Sequence, residues 1–96
     1  MKPDRLILWN PDNSQPVGSF YIEARDEYAY ALKATTKSIK NRIKLFEELK
    51  FLTSFRSRLV LLDSSANLIA KDLVVRQVYI TPKGLTTELF RLITKY

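Results

Sequence analysis

The sequence predicts one α+β domain, and three observations carry that prediction. Short β-branched and aromatic runs stand near the start and in the third quarter of the chain, each pair interrupted by a cluster of turn residues. Between them, from about Arg25 to Arg58, lies a stretch without glycine or proline whose apolar residues keep helical spacing. A Thr-Pro pair at Thr81-Pro82 then opens a last segment of helical character. With 96 residues, 46% of them hydrophobic, the chain has enough apolar material for one core.

Residues 1–22 read as a strand and loop segment. Arg5 to Trp9 and Val17 to Ile22 are the strands, and Asn10-Pro11-Asp12-Asn13-Ser14-Gln15-Pro16 is the connection. Trp9, with apolar neighbours, reads as a core anchor. Residues 25–52 read as two helices. The first is alanine-rich, with Tyr28 and Leu32 four apart. The second carries Ile39, Ile43, Phe46 and Leu49 as one apolar stripe. A turn at 34–38, with Thr35 or Thr36 as N-cap, is the preferred join. Tyr28, Leu32, Thr35 and Ile39 also keep helical spacing, so a single continuous helix stays open. Residues 57–81 read as a hairpin with its tip at Asp63-Ser64-Ser65-Ala66-Asn67. Thr81 as N-cap and Pro82 as first helical residue start a helix over 82–95. The expected core joins Ile39, Ile43, Phe46 and Leu49 to Leu59, Leu61, Val78 and Ile80.

The absent residue types narrow the chemistry. Without cysteine or histidine there is no thiol nucleophile, no Ser-His-Asp triad, no disulfide and no thiolate or imidazole metal site. No apolar run approaches the roughly 18 residues of a membrane span, so the chain reads as soluble and cytoplasmic. The acids Glu23, Asp26, Glu27, Asp63 and Asp72 fall at helix starts and loop ends, where carboxylates cap and solvate, so no enzyme, metal or cofactor is expected.

The charge is uneven. Residues 35–58 hold seven basic and two acidic side chains, which is most of the chain's +6 excess. On a wheel of about 100° per residue, Lys37, Lys40, Asn41 and Lys44 oppose the apolar stripe. Thr35, Thr36 and Ser38 stand at the helix start, where hydroxyls and free N–H groups suit phosphate, and Asn41 can pair with an adenine edge. Arg56 and Arg58 close the basic segment, and Lys71 is the basic residue nearest the hairpin tip. These ten residues are the candidate contacts to duplex DNA.

The stretch from Tyr28 to Leu52, ending in Phe46-Glu47-Glu48-Leu49-Lys50-Phe51-Leu52, resembles the second helix, turn and recognition helix of winged helix-turn-helix regulators. Val78-Tyr79-Ile80-Thr81-Pro82-Lys83-Gly84 is similar to the phrase that joins wing to last helix in MarR-like and PadR-like proteins. The resemblance implies a winged helix-turn-helix fold with an N-terminal strand segment, sequence-specific DNA binding and transcription regulation. It lacks the usual helix before the alanine-rich one, and the hairpin tip carries no arginine. Leu85, Leu89, Leu92 and Tyr96 at i, i+4, i+7 and i+11 make a seam expected to pair two copies, with Phe90 and Ile93 beside it. The alternative is a non-catalytic interaction module of ββαββα or winged-helix fold that binds a protein or RNA.

Overall fold

The computed structural model describes residues 5–27, 29–80 and 88–94, with the side chains of 79–80 and 88–94 left aside. It is an antiparallel sheet with one helix: β1 (Arg5–Asn10), β2 (Gln15–Arg25), β3 (Ala29–Ala34), α1 (Ile39–Phe55), β4 (Leu59–Leu62), β5 (Leu68–Ile80) and β6 (Glu88–Thr94). The strands pair in the order β1-β2-β3-β6-β5-β4, and β4 pairs back onto β1, so the sheet curls into a closed barrel. Two three-stranded meanders, β1–β3 and β4–β6, meet along the β3–β6 and β1–β4 seams.

This overturns the winged helix-turn-helix expectation. Residues 29–34 form a strand in place of an alanine-rich helix, paired with β2 through Leu32↔Ile22 and with β6 through Leu32↔Phe90. The competing signal was the alternation Tyr30, Leu32, Ala34, which places alternate side chains on one face of a strand. Of these, Leu32 and Ala34 are buried and Tyr30 is packed against the core. Asp26 forms the preceding turn by accepting the Ala29 N–H at 2.8 Å, while its own N–H donates to the Ala29 carbonyl. The last segment is corrected in the same way, because residues 88–94 are strand β6 between β3 and β5. A helical seam through Leu89 and Leu92 therefore does not exist, and Leu85 and Tyr96 lie outside the described residues, as does the expected cap at Thr81-Pro82.

The expected hairpin with its tip at 63–67 is present, and the strand and loop segment at the start closes as a second hairpin, β1–β2. In the β1–β2 turn, Asn10 accepts the Asp12 N–H and Asn13 accepts the Gln15 N–H through side-chain oxygens, and Ser14 takes a left-handed φ of 54°. In the β4–β5 turn Asp63 accepts N–H groups from Ser65 and Asn67 at 2.9 and 2.8 Å. Those bonds, led by the Asn67 N–H, hold its carboxyl below the usual carboxylate range.

The helix starts one turn after β3. Ser38, in extended geometry, is the N-cap and accepts the Asn41 N–H at 3.3 Å, so the cap falls later than Thr35 or Thr36. Its inward row is Arg42, Leu45, Leu49 and Leu52. These leucines join Leu6, Leu8, Phe20, Leu32, Leu59, Leu61 and Leu73 in one interior cluster. The expected inward stripe was thus misplaced around the helix. Leu49, Leu59 and Leu61 are buried and Val78 packs against the cluster, but Ile39 is 56% exposed, Ile43 is 39% exposed and Phe46 is only half-buried. Trp9 is half-buried, cross-strand from Val60, and not part of the core. Ile80 lies in β5, with its side chain outside the description.

If this facing is right, Leu49→Ala and Leu61→Ala each cost about 2–5 kcal/mol in urea denaturation, whereas Ile39→Ala costs less than about 1 kcal/mol. Equal losses at Leu49 and Ile39 would contradict it.

Candidate nucleic-acid interface

With its inward row buried, α1 presents the remainder of its surface. On the wheel Lys40, Lys44, Phe51 and Phe55 share an arc of about 60°. All four are exposed, as is Lys37 just before the cap. One side of the helix is therefore cationic in its first half and aromatic in its second, over about 20 Å of axis. Glu47 and Glu48 flank this row between the two halves. Asn41 is exposed on the first turn.

The hydroxyls at the helix start serve the fold. Thr36 Oγ1 accepts the Ser38 N–H at 3.3 Å, and the Thr36 carbonyl accepts from Arg42 Nε at 2.7 Å. Thr35 is tied to β2 by its N–H, which donates to the Ser19 carbonyl. An arginine on the inward face of a helix is unusual, and here it holds the β3–α1 link down. Arg42 also lines an open cleft of about 740 Å³ with Tyr21, Lys33, Thr35 and Lys37, in which Tyr21 and Lys33 are cross-strand partners. Among the candidate contacts, Thr36 and Ser38 thus act first as caps, while Lys37, Lys40, Asn41 and Lys44 form the exposed surface.

The helix ends on Arg56, whose φ of 49° and ψ of 41° put it in the left-handed region that glycine usually fills. Its N–H donates to the Thr53 carbonyl at 3.4 Å. Arg56 and Arg58, both exposed, line a second open cleft of about 600 Å³ between the last turns of α1 and the β1–β2 turn. Phe51 and Phe55 are also in its wall, their ring centroids 4.5 Å apart and tilted by 42°. Asn10, Asp12 and Glu48 complete it. Partial burial pushes the Glu48 carboxyl above its usual range, because leaving water disfavours the charged form. Sequence reasoning missed this cleft and both phenylalanines. The signal available was the spacing from Lys40 through Lys44 and Phe51 to Phe55, which continues the basic row as an aromatic one.

Lys71 stands apart from this surface. It is exposed at an irregularity in β5, where Asp72 takes a φ of 56°, and it lines none of the clefts beside α1. On the other flank of the helix, Lys50 lies over the Phe46 ring at 5.7 Å from its centroid. Among the described residues no group of three acidic side chains converges as a metal site would require, and no helix is long and apolar enough to cross a membrane. Comparison with known proteins returns no matching family model, curated protein or solved structure.

Two outcomes follow from the local chemistry. Because the folded pKa of Glu48 is raised, the folded state binds its proton more tightly than the unfolded state does. Its contribution to stability therefore falls as pH rises through that raised value. Glu48→Gln should leave the melting temperature at neutral pH unchanged or higher, with the difference shrinking in acid; a fall at neutral pH would contradict the burial argument. Arg56→Gly should relieve the left-handed cap by up to about 1 kcal/mol in chemical denaturation, while removing a charge from the cleft.

Proposed function

We propose that this protein is a non-catalytic, cytoplasmic nucleic-acid-binding module whose contact surface is the exposed side of α1 and the Arg56–Arg58 connection. The observation that carries the reading is the alignment of Lys40 and Lys44 along one side of a rigid helix, with exposed Lys37 just before its N-cap and two arginines at its far end. None of these five groups is held in an ion pair by a described residue. A row of mobile ammonium groups on a fixed helix binds a polyanion by releasing its counterions, and most of the chain's charge excess sits in this segment. Asn41, exposed one turn into the helix, is placed to contact whatever lies along the row.

Duplex readout by a recognition helix loses its main support, since a β-strand precedes α1 where a helix-turn-helix needs a helix. Phosphate binding does not need that motif. A second reading, contact with a protein partner, is favoured by the exposed apolar side chains Ile39 and Ile43 on another flank of the helix and Leu68 and Ile69 on β5.

Binding of short labelled oligonucleotides against salt concentration separates these readings. Lys40→Ala and Lys44→Ala should each weaken binding to every sequence and lower the salt slope by roughly 0.7–0.9. Unaltered affinity in the double variant, or no binding at low salt by the parent chain, would overturn the proposal.

A further inference from the structure

We infer that the cleft between the end of α1 and the β1–β2 turn takes an unpaired base, so that the nucleic acid bound is single-stranded. The inference rests on the nucleic-acid reading above and adds the class of strand. Three observations converge on it. Phe51 and Phe55 are 60% and 66% exposed, a large apolar area for one surface of so small a protein. Both rings line the cleft, and the face of a base can stack on an exposed aromatic side chain without regard to sequence.

The second observation is Asn10, which lines the same cleft although only 8% of it is accessible. Its side-chain oxygen is occupied by the Asp12 N–H at 3.0 Å, while its amide NH2 donates to none of the described residues. A donor on a nearly buried side chain at a cleft wall gains little from water, and a ligand carbonyl or ring nitrogen would satisfy it. The acceptors on the edge of a base are groups of that kind. The third is charge. Arg56 and Arg58 balance the carboxylates of Asp12 and Glu48 in the cleft lining, and Lys44 and Lys40 lie farther back along α1, so the cations for a backbone are those of the helix row beside the cleft.

A volume of about 600 Å³ falls within the roughly 300–1,000 Å³ of small-ligand sites. In a duplex the base faces are already covered by their neighbours, so an aromatic pair would have nothing to stack on. Single strands, DNA or RNA, present those faces at little cost.

The test compares four ligands of about twelve units by fluorescence anisotropy: oligothymidylate, oligouridylate, an abasic strand of equal charge, and a duplex. The two base-bearing single strands should bind about ten-fold or more tightly than the abasic strand, and the deoxy and ribo arms show whether the sugar matters. Phe51→Leu with Phe55→Leu should bring both down to the abasic level with the salt slope unchanged. Because those side chains are exposed, the variant should keep the far-UV spectrum and melting temperature of the parent. Binding of all four ligands with equal affinity, or a Phe double variant that keeps its preference for bases, would overturn the base site and leave the polyanion surface standing. Binding of none of them would overturn both. Asn10→Asp replaces the donor by an acceptor of the same shape, and should lower affinity for the base-bearing strands by more than for the abasic one.

Discussion

A closed sheet keeps its interior dry only if its ends are stopped. In this chain the row Arg42, Leu45, Leu49 and Leu52 is what enters from the connection between the two meanders. The three leucines belong to the same buried cluster as the strand side chains Leu8, Phe20, Leu32 and Leu61, and a helix can reach such a cluster only through an end of the barrel. The fit is close. A Cβ at Gly18 would stand 3.3 Å from Leu45 Cδ1 and 3.3 Å from the Phe20 ring, so β2 carries a glycine where the helix approaches. A side chain there would require Leu45 and the Phe20 ring to shift by a few tenths of an ångström in a closely packed interior.

The choice of this row determines everything α1 shows to solvent. A helix turned about 100° further would bury the Ile39, Ile43 and Phe46 stripe and carry the lysines and phenylalanines to other surroundings. Instead Lys40, Lys44, Phe51 and Phe55 project together, and the helix's last turns stand beside the β1–β2 turn to form a cleft. The candidate interface is thus a consequence of core packing. Its side chains need no partner within the domain, and the element carrying them is fixed by the leucines on its opposite side.

The elements legible in the sequence were those with local punctuation. Asn10 to Gln15 and Asp63 to Asn67 carry turn chemistry that the structure uses, so that the second hairpin and the strand-loop-strand order of the first were visible from it. The helix over 39–55 was visible from its composition, and its cationic surface from charge alone. Residues 29–34 and 88–94 were not, because their alanines and leucines fit a helix locally while the long-range pairs Leu32↔Phe90 and Val75↔Leu92 make them strands. Pairing partners about 60 residues apart in the chain leave no local trace. The helix facing misled for another reason. Two apolar rows run along α1, one of isoleucines and one of leucines, and only contact with β2 and β5 decides which is inside. An arginine at position 42 pointed away from the leucine row, since burial of Arg42 is tolerable only where polar partners such as the Thr36 carbonyl receive it, and sequence does not show them.

Several departures from folding rules lie together at the far end of α1. Arg56 occupies a backbone region that favours glycine, Phe51 and Phe55 face water, the Glu48 carboxyl is partly desolvated, and Asn10 is buried with its amide NH2 unpaired among the described residues. Each costs the isolated domain some stability, offset in part by the packing of Phe51 on Phe55 and by the Arg56 N–H bond to the Thr53 carbonyl. The same kinds of departure occur elsewhere, in the left-handed backbone of Ser14, Ala66 and Asp72, in buried Arg42 and in exposed Ile39 and Leu68, but those are spread over several elements, while Ser38 caps its helix and Asp63 completes its turn. Local violations at scattered positions would read as ordinary imperfection. Several of those at the far end of α1 line one cleft, beside cations that no described residue pairs, and the proposed single strand would supply a stacking partner, an acceptor and a countercharge at that place.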